Sequence, residues 1–193
     1  MKRIAIILLA ISLFNSTAPG KPVLPPANDL AIRAIHYNGK LADDEARFTL
    51  DIAAEATGAG ESSAKLLEGD VAILPENLPG QLKIIREGNR YLLVASHPGQ
   101  FKFKLEVVAK IQHAEPWNQI SFTGPAATIA AVTAQAAGAD TEVQLLTGTL
   151  LEAVKTNGVS RVTGFLGADQ TVALRWHTAG FRTRHLGATR EAS

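Results

Sequence analysis

Period-two alternation of apolar and polar residues constrains this chain more than any other feature. In Phe101–Gln112 every odd position is apolar: Phe101, Phe103, Leu105, Val107, Ala109 and Ile111. Most even positions are polar, among them Lys102, Lys104, Glu106, Lys110 and Gln112. Successive side chains of a strand point to opposite faces, so this pattern makes a sheet with one buried and one wetted face. Ala46–Ala54 repeats it, with Ala46, Phe48, Leu50, Ile52 and Ala54 inward and Arg47, Thr49 and Asp51 outward. Val172, Leu174 and Trp176 alternate with Ala173 and Arg175, whereas Tyr91–Ala95 is apolar throughout, as a strand covered on both faces would be.

The punctuation between these runs is that of tight turns. Asn38-Gly39, Glu68-Gly69, Gly88-Asn89, Pro98-Gly99, Thr147-Gly148 and Asn157-Gly158 separate short β-rich segments. Only Ile129–Ala137 is alanine-rich enough to compete as a helix, and its short length and the β-branched Val132 and Thr133 argue for strand. The fold class expected is all-β, an antiparallel β-sandwich.

The chain opens Met1-Lys2-Arg3, continues with the apolar run Ile4–Phe14, broken only by Ser12, and reaches small residues at Ser16 and Ala18. That order of basic, apolar and small residues predicts a secretory signal peptide over 1–18, cleaved after Ala18. The run is too short to span a bilayer, which takes about 20 apolar residues. The mature protein is expected outside the cytoplasm, periplasmic or extracellular, without a transmembrane segment. No cysteine is present, which excludes disulfides, a thiolate nucleophile, thiolate metal sites and a lipoprotein anchor.

The formal charge of +1 drops to −1 once Lys2 and Arg3 are removed. Residues 179–193 hold Arg182, Arg184 and Arg190 against Glu191, a contribution of +2 that leaves the body at −3. A body without a basic stripe argues against a nucleic-acid partner.

Internal similarity suggests a duplication. Leu66-Leu67-Glu68-Gly69 recurs as Leu145-Leu146-Thr147-Gly148 at an offset of 79, which also lays Leu50 on Ile129. Downstream the offset is 68, with Asn89 on Asn157 and an extra loop around Pro75–Gly80 in the first copy. At 69, Phe103, Leu105 and Val107 fall on Val172, Leu174 and Trp176. The expected organisation is a linker over 19–30, β-sandwich modules over 31–114 and 117–178, and a disordered basic tail over 179–193. The second copy ends abruptly on an apolar strand, which favours reading the chain as a fragment of a longer one.

His36-Tyr37-Asn38-Gly39, Leu66–Leu74, Tyr91–Leu105, and Trp117–Phe122 with Gly164–Trp176 resemble the amino-terminal part of large exported bacterial proteins of unassigned function. The resemblance covers most of Ala31–Trp176 and implies β-sandwich modules in an envelope setting. It carries over no site residues.

No catalytic constellation emerges. Gly58–Lys65 superficially matches a phosphate loop, but Ala64 and Leu66 stand where glycine and a hydroxyl are needed, so it reads as a hairpin loop. Asp43-Asp44-Glu45 lacks the alternating pattern of a calcium loop and reads as a turn, as do Glu68 and Asp70 around Gly69. His36, His97, His113, His177 and His185 form no close-spaced ligand pair, although His36 and His113 sit near strand ends where two ligands would meet. Ser96-His97 lies at a turn without a nucleophile elbow. No catalytic, cofactor-binding or metal-ligating residue is therefore assigned, and no cofactor is expected.

The one binding hint is aromatic. Trp117, Trp176 and Tyr37 would form a sugar-stacking platform if they lined a sheet face, and core packing is the competing role. The leading expectation is a non-catalytic exported module, a structural or interaction segment of an envelope protein, with protein or envelope glycan as partner. A carbohydrate-binding module is the alternative, and an exported hydrolase with a fold-assembled site stands third.

Overall fold

A computed structural model describes residues 29–75, 77–138 and 140–177. The expected signal peptide, most of the linker, the basic tail and His185 lie outside the described residues. Fourteen strands follow in order. The first seven are β1 (Leu30–Leu41), β2 (Ala46–Ala56), β3 (Ser62–Gly69), β4 (Val71–Ile73), β5 (Leu82–Glu87), β6 (Arg90–Ala95) and β7 (Gly99–Ala109). The others are β8 (Gln112–Ala114), β9 (Trp117–Thr123), β10 (Ala127–Ala137), β11 (Glu142–Leu145), β12 (Thr149–Thr156), β13 (Val159–Phe165) and β14 (Thr171–His177). No described segment is a helix long and apolar enough to cross a membrane.

The alternation holds in three dimensions. Phe101, Phe103, Leu105, Val107 and Ala109 of β7 are buried, as are Ala46, Phe48, Leu50, Ile52 and Ala54 of β2, and the two strands pair in register. Ile129–Ala137 lies in β10, a strand as its β-branched residues argue, with Ala130, Val132, Ala134 and Ala136 inward. Gly88-Asn89 and Asn157-Gly158 close two-residue hairpins. In the second, both residues have positive φ, 52° and 71°, the geometry that matches strand twist.

The strands form two sheets. The first runs β12-β13-β10-β1-β2-β7-β4 and the second β11-β14-β9-β3-β6-β5, with β8 added beside β9. All pairings are antiparallel except β1 with β10. The two expected modules do not close separately: 31–114 and 117–178 each send strands into both sheets. They join through β1–β10 and β3–β9, and one buried cluster runs between the sheets. Burying one shared core removes more apolar surface than two small ones would.

The proposed duplication is not a repeated pairing unit either. The corresponding strands occur in the same order, but the β5–β6 hairpin joins β3 whereas the β12–β13 hairpin joins β10. Leu50 is fully buried, and Ile129, its counterpart by offset, is 55% exposed.

Two further expectations change. Asn38-Gly39 is no turn but part of β1, opposite Thr49 and Phe48. Gly39 is there because the Phe48 ring lies on it: an added Cβ would stand 2.5 Å from Phe48 Cε1. Residues 58–65 do not form a hairpin loop, since β2 and β3 lie in different sheets: 57–61 cross between them and 62–65 already belong to β3.

Tyr37 is fully buried beside Phe122, ring centres 6.0 Å apart, and its hydroxyl has no hydrogen-bond partner among the described residues. Leaving a buried hydroxyl unpaired is costly, and phenylalanine avoids that cost, so Tyr37→Phe is expected to stabilise the fold by about 1 kcal/mol. Burial also drives the phenol's pKa upward. A raised folded-state pKa gives stability that is complete below the unfolded value of about 10 and is lost as the pH rises beyond it. Denaturant titrations of wild type and Tyr37→Phe at neutral and alkaline pH check both points, the variant gaining more at high pH. Equal stabilities at every pH would refute them.

Candidate functional site

The aromatic platform is not assembled. Tyr37 and Trp176 are both 0% exposed, because their strand parity points them between the sheets, so neither can stack on an external sugar. Trp117, half-buried at the start of β9, faces outward.

Trp117 instead anchors a polar cluster on the outer face of the second sheet. With Trp176 pointing inward, its neighbours Arg175 and His177 must point out, and β9 and β11 bring Trp117, Glu142 and Gln144 alongside them. The Arg175 guanidinium sits 4.4 Å from the Trp117 ring centre, a cation–π contact, and the His177 ring meets the indole edge-on at 4.4 Å. Arg175 Nε donates to Gln144 Oε1 at 2.7 Å, Gln144 Nε2 donates to Glu142, and His177 Nε2 lies 3.4 Å from Glu142 Oε2. The hydrogen bond from Gln144, followed by that from His177, holds the Glu142 carboxyl below its usual range. Such a cluster offers stacking, hydrogen bonds and charge, and holds no serine, threonine, cysteine or lysine.

A second polar area lies on the outer face of the first sheet. The register of β1 slips between Ile32 and Ala34, and next to that bulge a shallow groove of about 470 Å³ opens over Ala34, His36, Ala53 and Ala131. Small alanines flanked by Lys102, Lys104 and Ile129 leave the space. Its Lys104, Asp51 and His36 are already paired: Lys104 Nζ lies 3.1 Å from Asp51 Oδ1, Asn38 Nδ2 donates to Asp51 Oδ2 at 3.0 Å, and His36 Nε2 is 3.1 Å from Thr133 Oγ1.

The other sequence candidates occupy structural places. Asp43-Asp44-Glu45 closes the β1–β2 hairpin, where the Ala42 N–H donates to the Glu45 carbonyl at 2.8 Å and Asn118 Nδ2 donates to Asp43 Oδ1 at 3.2 Å. Lys65 lies in β3 and pairs with Glu68 at 3.3 Å, and Asp70 stands 3.9 Å from Lys110. His36 and His113 do not meet: one is on the first sheet, and the other, in β8, bonds Asn118 Oδ1 at 2.7 Å. Ser96 and His97 contact each other at 3.0 Å on the surface. Among the described residues no three His, Cys, Asp or Glu side chains gather to hold a metal ion.

Sequence reasoning passed over the grouping of Arg175, His177, Glu142 and Gln144 around Trp117. Parity around the inward Trp176 already put Arg175 and His177 on the wet face, but the pairing of β11 with β14 was needed to add the other two.

No protein-family model and no curated protein matches this chain. Solved structures do match in fold. A two-domain M1 zinc metallopeptidase with bound L-tryptophan aligns with a TM-score of 0.51 at 10% identity, covering 78% of this chain and 43% of that one. The M1 zinc metallopeptidase from Deinococcus radiodurans aligns with a TM-score of 0.51 at 9% identity, covering 78% and 42%. At such identities the likeness is one of fold alone. The chain spans less than half the length of these proteins.

Proposed function

We propose that this chain is a non-catalytic β-sandwich module of a larger exported protein, serving there as a structural or interaction segment of the cell envelope. The observation that carries the reading is the fold match, which takes in most of this chain and less than half of each longer metallopeptidase chain. The same sandwich thus occurs joined to further polypeptide. The zinc chemistry named for those proteins is theirs, and fold does not transfer it. The basic–apolar–small order of residues 1–18 supports the exported setting.

Immunoblotting of fractionated cells of the source organism, with antibody against residues 29–177, tests the proposal. A band well above 20.5 kDa in the envelope or exported fraction is expected. A cytoplasmic product of 20.5 kDa or less would overturn it.

A further inference from the structure

Sheet edges expose a row of unpaired backbone N–H and C=O groups, and folded proteins usually blunt them with short strands, charges or prolines. Most edges here are blunted. At the ends of the sheets β4 has three residues and β11 four, and β8 is likewise a three-residue strand. The third end, β5, carries Lys83, Arg86 and Glu87 within its six residues.

The remaining end, β12, is different. It is eight residues long, pairs among the described residues only with β13, and has Leu150 and Leu151 52% and 58% exposed. Its only charges are Glu152 and Lys155, and neither forms an ion pair among the described residues. A bulge at Leu151 interrupts the ladder, after which Glu152–Thr156 run in regular register against Thr163–Val159 up to the Asn157-Gly158 turn.

From this edge we infer that β12 pairs antiparallel with β12 of a second copy, joining the two first sheets into one continuous sheet. An extended strand is the partner that continues an open ladder. For the outer faces of two copies to be continuous, residues of like parity must face each other, which confines the dyad to passing through a residue. Dyads at Glu152 and Lys155 would oppose like charges, and one at Ala153 would set Lys155 against the bulged Leu151 and leave the regular segment Glu152–Thr156 off centre. A dyad at Val154 opposes Val154 to its own copy, Glu152 to Thr156 and Ala153 to Lys155, with no like charges facing. That register also lays the half-exposed Leu151 beside the partner's Asn157. The arrangement is isologous, and with one such edge per chain it closes at two copies instead of propagating as a fibre. The pairing does not depend on the larger protein or compartment proposed above.

Sedimentation analysis of the full chain over a concentration series tests it, with Val154→Lys and Val154→Glu as probes. Val154 lies on the outer face of an edge strand, opposite Arg161, so either substitution leaves the core intact, and the glutamate gains a favourable neighbour. The wild type is expected to reach twice the monomer mass, and each variant to stay monomeric. An equimolar mixture of the two should regain the doubled mass, because lysine then faces glutamate across the dyad. In the dimer, β12 amides should exchange more slowly than in either variant alone. A wild type that stays monomeric, a dimer that persists in both variants, or β12 amides that protect only when a foreign strand is supplied would each overturn the inference.

Discussion

Replacing Trp176 by alanine is expected to lower the unfolding free energy by about 3–5 kcal/mol, a large share of the 5–15 kcal/mol typical of a domain. The side chain is 0% exposed and lies in β14 between partners from two strands, opposite Asn118 of β9 and Val143 of β11. Alanine removes most of the buried apolar surface and leaves a void that rigid strands on both sides cannot close. Trp176→Phe should cost much less, under about 2 kcal/mol. It keeps a ring in place and removes an indole N–H that has no hydrogen-bond partner among the described residues. Urea titrations of the two variants check this, with the midpoints falling in the order wild type, Phe, Ala at an unchanged slope. Equal losses for the two would show that the indole is held by something other than packing.

The other large effect is at Gly148, where alanine is expected to cost about 2–5 kcal/mol through positive-φ strain together with overpacking. Gly148 has φ +80°, and an added Cβ would stand 2.1 Å from the Phe165 carbonyl oxygen and 3.0 Å from Leu166 Cα. Both obstacles are backbone, so no side chain can rotate away. The neighbouring Thr147 fixes the segment: its hydroxyl donates to the Thr171 carbonyl at 2.6 Å and accepts from the Ala173 N–H at 3.3 Å. Gly88→Ala is the matched control, since Gly88 has φ +64° with open space where a Cβ would go. It should lose only about 1–2 kcal/mol, the strain alone. Parallel denaturant titrations separate the two contributions, and equal losses at both sites would show that the close approach at Gly148 is relieved by movement.

The candidate site was less legible than the fold. Parity placed Trp176 inward and Arg175 outward, which is what strand geometry alone decides. Tyr37 carries the same marker, since Ile35, Tyr37 and Leu41 alternate with His36, Asn38 and Lys40. What the sequence left open is the place of β1 in the middle of a sheet, flanked by β2 and by a parallel β10 far along the chain. The cluster around Trp117 depends on β11 reaching β14, a contact between segments some thirty residues apart.

Turn chemistry was local where the turn was local. Asn157-Gly158 connects adjacent strands, and its two positive φ values follow from residue type. Asn38-Gly39 carries the same dipeptide signal, yet β1 runs straight through it, held by pairing to β10 on one side and β2 on the other, and the glycine makes room for the Phe48 ring. The apparent repeat failed for a related reason. Similar short strands share a texture of alternation and turns, and texture does not specify a pairing partner.

The sequence by itself determined that this protein is all-β and which face of β2, β7 and β14 is buried. Those properties follow from a side-chain period of two and from residues no more than a turn apart. Only the tertiary structure decided that the two halves share one core, that β1 and β10 run parallel, and that β12 is left as an open edge. Each of these is a choice of partner among strands with similar patterns, and it is settled by how the two apolar faces close on one another across long stretches of chain.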